Sequence, residues 1–261
     1  GSVAPMTMIG IAAATVWGWR AAFIAVGGVG IIVLLAMVIK GRLLDAELAT
    51  DRARVESGAA RKPAPGGLSF LTPPVLFFFL FFVAFGMTTG GLFTFTATAL
   101  MQVHKVDLSV ANTAFSGLLF ALAFGVLAGG VIADRLGRHG LVTAVAMSGG
   151  AAVLFLVASM QLSVVVLVLA MAVVGLALGA VLPARDMLLR AMTPTEQTGK
   201  VVGFVFVGLS LGSSVSPYLF GWLIDQGGAA MVFILCGVFM VCAMLATTAA
   251  QAVAPRRAAA A

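Results

Sequence analysis

Eight apolar runs, most of them near the twenty or so residues that a helix needs to cross a bilayer, constrain this chain more than any other feature. They lie at about residues 3–17, 21–39, 73–103, 109–133, 141–160, 163–189, 201–224 and 229–250, with polar or Gly/Pro-containing breaks between them. A segment surrounded by hydrocarbon must satisfy its own backbone N–H and C=O groups, so runs of this length fold as helices. A membrane barrel would show roughly ten-residue segments alternating in polarity, and none is visible. Only 9% of the residues are charged, against about a quarter in water-soluble domains. The expected fold is an all-α membrane protein, a polytopic helical bundle.

The loops sort by charge. If successive loops alternate sides, thirteen of the fifteen Lys and Arg residues fall on one side and only Arg20 and Lys105 on the other. The positive-inside rule assigns the rich side to the cytoplasm, and with it residues 41–72 and the C-terminus. Trp17, Trp19 and Trp222 then all fall at the outer interface, where amphipathic rings are favoured, although the charge count made no use of them. The net charge of +6 is therefore a topology signal and not a nucleic-acid footprint. Expected partners are the lipid bilayer and a small-molecule solute, with no nucleic acid, and the expected location is the plasma (inner) membrane. Cys236 and Cys242 are six residues apart, a poor spacing for contact on one helix, so no disulfide is expected.

The first run is short and opens without a basic n-region or an A-x-A cleavage site, so no signal peptide is expected. Residues 40–69 change character, with a charged first half and a Pro/Gly-rich second half (Pro63, Pro65, Gly66, Gly67), and the main boundary is placed there. Pro73-Pro74 suits the start of the third run. Thr88-Thr89-Gly90-Gly91 interrupts that run, and a kink or unwound turn is expected. Ser109 is expected to cap the fourth run.

Between the fourth and fifth runs lies the polar island Gly130-Val-Ile-Ala-Asp-Arg-Leu-Gly-Arg-His-Gly-Leu141. Gly137 permits a turn that a side chain would obstruct. Gly130, Asp134, Arg135, Gly137 and Arg138 together resemble the signature loop of the major facilitator superfamily, G-x-L-A-D-R-x-G-R-[RK], with His139 in the last position. That loop joins the second and third helices of each six-helix half, and here it joins the second and third runs after the linker. Trp17 to Phe23, and Pro194 to Gly203 with Gly212, Pro217, Gly221 and Asp225, resemble further stretches of the same superfamily. The resemblance implies that the eight helices are the fifth to twelfth of twelve. Residues 1–40 would be the last two helices of the N-terminal half, 41–72 the cytoplasmic central linker, and 73–261 the C-terminal six-helix half. The missing N-terminal helices of the same protein would then be a partner of this chain. The resemblance also implies secondary transport by alternating access, as antiporter or symporter, with inverted three-helix repeats at about 74–160 and 163–250.

Two readings stand for each candidate site. Asp134 can accept hydrogen bonds from nearby arginines or a helix N-terminus and latch one transport state; otherwise the hairpin is a tight turn bearing topology charges. The latch is favoured, because an Asp adds nothing to the positive-inside effect. Thr88 and Thr89 either line a cavity or bond their own helix. Ser210, Ser213, Ser214 and Ser216 form a polar patch, with close packing at Gly208-x-x-x-Gly212 favoured over solute lining. Gly86-x-x-x-Gly90, Gly125-x-x-x-Gly129 and Gly175-x-x-x-Gly179 are likewise read as packing motifs. Asn112 faces the vestibule or water. Phe77 to Phe85 cover all sides of their helix, so most are expected to face lipid or neighbours rather than to form an aromatic substrate box. Arg185 and Asp186, at the inner end of the sixth run, are inner-gate residues or ordinary interfacial charges.

No ionisable residue is expected at mid-membrane depth in any of the eight runs, and such residues are default candidates for proton relays. If protons are coupled to transport, the carrier is expected in the missing helices; His104 and Asp107 near the outer mouth are a weaker choice. No cofactor, metal ion or catalytic residue is expected. The chain carries no H-E-x-x-H, no G-x-S-x-G and no intramembrane charged dyad, which argues against a membrane-embedded enzyme. A non-transporting receptor or assembly partner on a transporter scaffold is the alternative, since fold alone does not fix function.

Overall fold

The computed structural model describes residues 71–136, 139–193 and 198–253, together with positions 24, 27, 28, 30–32, 34 and 35. The chain forms two units, 1–64 and 65–261. In the first, the eight described positions are helical. The expected first run, the Trp17–Phe23 stretch and the linker charges lie outside the described residues.

The second unit contains six long helices: α1 (Pro73–His104), α2 (Leu108–Leu136), α3 (His139–Ser159), α4 (Val164–Met192), α5 (Thr198–Asp225) and α6 (Ala229–Val253). All six are long and apolar enough to cross a membrane. Local chemistry fixes their ends. Thr72 is extended ahead of Pro73-Pro74, where the missing proline N–H groups cost nothing. α1 stops at Lys105, which takes the left-handed conformation with φ 54°. Ser163 precedes α4 in an extended conformation. Gly227, at φ +75°, turns the chain from α5 into α6, a conformation that glycine adopts without steric cost. Ser109 is not the cap of α2. The helix begins one residue earlier, Ala111 N–H donates to the Asp107 carbonyl, and the Ser109 carbonyl accepts the Thr113 hydroxyl at 2.8 Å.

α1 has no unwound turn at Thr88–Gly91, contrary to the sequence expectation. The threonine hydroxyls donate back to carbonyls one turn earlier, Thr88 to Ala84 at 3.0 Å and Thr89 to Phe85 at 2.9 Å. The glycines are used for proximity: a Cβ on Gly90 would press on Ser216 of α5, and one on Gly91 on Phe220 of α5 and Cys236 of α6.

Helix packing repeats. The main contacts are α1 with α5 and α6, α4 with α2 and α3, and α3 with α6. Exchanging α1–α2–α3 for α4–α5–α6 maps this set onto itself. The bundle is thus two three-helix units, each lending its second helix to the first helix of the other. Both lending contacts are glycine crossings. A Cβ on Gly86 would meet the Leu209 carbonyl, one on Gly208 the Phe79 carbonyl and one on Gly212 the Val83 carbonyl. At the other crossing, a Cβ on Gly125 would meet the Leu176 carbonyl, one on Gly175 the Leu118 carbonyl and one on Gly179 the Leu122 carbonyl. Close backbone approach of this kind is how helices gain attraction in lipid, where no hydrophobic force drives them together.

These crossings tolerate no side chain, because the obstacle is backbone and cannot rotate away. Gly179→Leu should destabilise the folded protein by more than the roughly 1–3 kcal/mol of ordinary overpacking. Gly149→Leu, at an exposed glycine with open space around its Cβ position, should leave the thermal midpoint in detergent nearly unchanged. Equal loss in the two variants would contradict the crossing.

Candidate functional site

The polar island spans the end of α2 and the start of α3. α2 ends at Leu136 and α3 begins at His139. Asp134 and Arg135 are exposed in the last turn of α2, and open space surrounds the Cβ position of Gly130. Gly137 and Arg138 lie outside the described residues. Beneath the hairpin a small apolar cluster of Ala133, Val142 and Ala184 ties α2, α3 and α4 together. The hairpin is thereby anchored one residue away from Arg185.

Arg185 turns into the bundle. It is 4% exposed, seven residues before the end of α4, and its guanidinium carbon lies 4.7 Å from the ring centres of both Phe82 and Phe85 on α1. Those rings are nine and twelve residues into α1, or roughly 14 and 18 Å along its axis. A charge therefore does sit inside the bundle. Sequence reasoning placed Arg185 by its distance from the end of its run, and that distance does not show which way a long side chain turns. The guanidinium Nε donates to Asp186 at 3.3 Å, and the Asp186 side chain is half exposed. Among the described residues Nη1 is buried with no hydrogen-bond partner. Arg rather than Lys suits this place, since a guanidinium is weakly hydrated and stacks on aromatic faces while its donors stay in plane.

Of the two surroundings expected for the phenylalanines, lipid or neighbours, the structure shows neighbours for four of them. Phe78, Phe81, Phe82 and Phe85 are buried in the bundle rather than facing lipid. Phe81 packs on Phe82 and Phe85 with centroids 5.5 and 5.8 Å apart, and Phe82 meets Phe206 of α5 at 5.3 Å. Lipid and protein interior are equally apolar, so the pattern of apolar residues could not distinguish the two.

The polar candidates separate. Thr88 is fully buried between α1 and α6, its hydroxyl also 3.4 Å from the Cys236 carbonyl. Thr89 is half-buried, with its hydroxyl held by its own helix. Ser213 donates to the Leu209 carbonyl at 2.6 Å, and Ser216 is buried against Gly90. Asn112 is exposed near the start of α2. Ser210 and Ser214 line a groove of about 340 Å³ on α5 with Gly203, Phe206, Val207 and Leu211. Phe206 belongs both to this groove and to the aromatic cluster that reaches Arg185. At the opposite end of α1, His104 is buried, with Nε2 3.1 Å from the Val157 carbonyl, and it ties α1 to α3. Cys236 is buried and Cys242 exposed, and both are free thiols.

The family model of the Major Facilitator Superfamily matches residues 1–165 and 97–260. The gallate transporter of Pseudomonas putida is 31% identical over 144 residues, covering 55% of this chain and 32% of that protein. The 4-hydroxybenzoate transporter PcaK of Pseudomonas putida is 32% identical over 165 residues, covering 63% of this chain and 36% of the relative. The chain thus spans about a third of the length of these relatives. A solved structure of a bacterial homolog of the human lysosomal transporter Spinster, inward-facing and unoccupied, covers 95% of this chain and 62% of its own, at 18% identity and a TM-score of 0.46.

The stacking of Arg185 on α1 is measurable without any solute. A double-mutant cycle of Phe82→Leu and Arg185→Met, read from unfolding free energies in detergent, should give a coupling of about 1–2 kcal/mol, the range for a desolvated cation–π contact. A coupling near zero would show that the two side chains are merely adjacent.

Proposed function

The chain belongs to the Major Facilitator Superfamily, and from that premise we propose that it forms part of a secondary transporter that moves a small aromatic carboxylate across the membrane by alternating access. The observation that carries the transport reading is the repeated packing of α1 on α5 and α4 on α2 through glycine crossings. Two interlocked three-helix units of this kind match the paired repeats expected in one half of such a transporter. The solute class rests on the gallate and 4-hydroxybenzoate transporters that the chain resembles. The distribution of Lys and Arg supports a plasma-membrane orientation with residues 41–72 and the C-terminus in the cytoplasm.

Within this reading the hairpin residues Gly130, Asp134, Arg135, Gly137 and Arg138 form a cytoplasmic latch. The exposure of Asp134 and Arg135 at the end of α2 leaves them available to a facing segment. Ser210 lines the solute path on α5. Thr88, Thr89 and Ser213, whose hydroxyls are held by backbone carbonyls, serve packing.

The reading is tested with the complete protein in proteoliposomes. Labelled 4-hydroxybenzoate or gallate should enter saturably and be displaced by other hydroxylated benzoates, but not by aliphatic acids of similar charge. Specific binding without flux would favour a receptor on a transporter scaffold. Asp134→Asn should shift the inward/outward population ratio by an amount worth about 1–3 kcal/mol, and an unchanged ratio in a folded variant would remove the latch.

A further inference from the structure

Arg185 has more donor capacity than the bundle uses. A guanidinium offers five N–H groups in one plane. The rings of Phe82 and Phe85 attract its charge but do not provide in-plane acceptors. Among the described residues its ion pair runs through Nε to Asp186 at 3.3 Å, so it is not the two-point fork that arginine makes with a well-placed carboxylate. Among the described residues Nη1 has no partner although it is buried, and leaving a buried charged donor unsatisfied is costly. Buried cations are retained where they are paired or where they serve a pathway.

The surroundings suit one kind of anion. A guanidinium set among aromatic side chains suits a flat, aromatic acid, whose carboxylate can take the unused donor edge. The groove on α5 borders the same cluster, since Phe206, 42% exposed in the groove, has its ring centre 5.3 Å from that of buried Phe82. Ser210 and Ser214 supply hydroxyls there for ring substituents.

We propose that Arg185 is the carboxylate-binding residue of the transport site, presented by Phe82 and Phe85, and that Asp186 is the internal anion that holds it between transport events. This rests on the aromatic-carboxylate reading above and adds to it the residue that reads the charge. Solute arrival exchanges Asp186 for the solute carboxylate at the guanidinium, and solute departure restores the pair. Half exposed, Asp186 can be released to water at little cost.

The test uses the complete protein and two probes that differ only in charge, 4-hydroxybenzoate and 4-hydroxybenzamide, measured by equilibrium binding. Arg185→Gln should weaken the carboxylate by about 10- to 100-fold, the value of a charge-assisted hydrogen bond, and leave the amide unchanged. Arg185→Lys should recover part of the loss, since it restores the charge without the fork. Asp186→Asn should strengthen carboxylate binding several-fold by removing the competing anion. A purely structural Arg185 would lower both probes together, so a preserved carboxylate-to-amide ratio in Arg185→Gln overturns the assignment. So does weaker carboxylate binding in Asp186→Asn, which keeps the question decidable if Arg185→Gln fails to fold. Failure of the wild-type protein to bind either hydroxybenzoate or gallate overturns the solute class itself. Wild-type binding that survives in Arg185→Gln overturns only the role of Arg185.

Discussion

Backbone meeting backbone at two glycine crossings is the contact on which the described bundle depends. In lipid each helix satisfies its own peptide groups, so helices gain little by hiding apolar side chains from one another. Close approach gains dispersion and weak Cα–H···O contacts instead. Gly86, Gly208 and Gly212 permit that approach between α1 and α5, and Gly125, Gly175 and Gly179 permit it between α2 and α4. Every other helix contact in the unit is arranged around these two pairs, with α3 and α6 packed on the outer flanks of α4 and α1 and on each other.

The crossings also determine what reaches the interior. With α5 held against α1, Phe206 meets Phe82. With α4 in its place, Arg185 reaches Phe82 and Phe85. A buried cation, an aromatic cluster and an open groove on α5 thus come together where α1 meets α4 and α5, about a hundred residues further along the chain. The hairpin between α2 and α3 is linked to the same point, because Ala184 packs beneath it beside Arg185. A change at the hairpin and a change at the arginine therefore share one short piece of α4.

The sequence was least informative where one apolar environment had to be told from another. Phe77 to Phe85 read as facing lipid or neighbours alike, and the structure turns Phe78, Phe81, Phe82 and Phe85 to the bundle interior. Thr88 and Thr89 read as a break in α1, yet their hydroxyls close on the preceding turn and the helix continues. The four polar positions on α5 read as one patch, but the helix turns Ser210 and Ser214 to the groove while Ser216 is buried.

By itself the sequence determined the six described helices to within a few residues at each end and the short break between α2 and α3. It also identified the glycine motifs as packing surfaces. These features follow from local rules, namely bilayer thickness, proline and glycine stereochemistry, and the spacing of small residues along one helix. Only the tertiary structure decided which glycine faces which carbonyl, that Arg185 turns inward, and that Phe206 joins the arginine's aromatic neighbours to the groove. The reason is physical: a side chain's surroundings depend on helices about a hundred residues away, and hydropathy assigns the same value to a position facing lipid and one facing another helix.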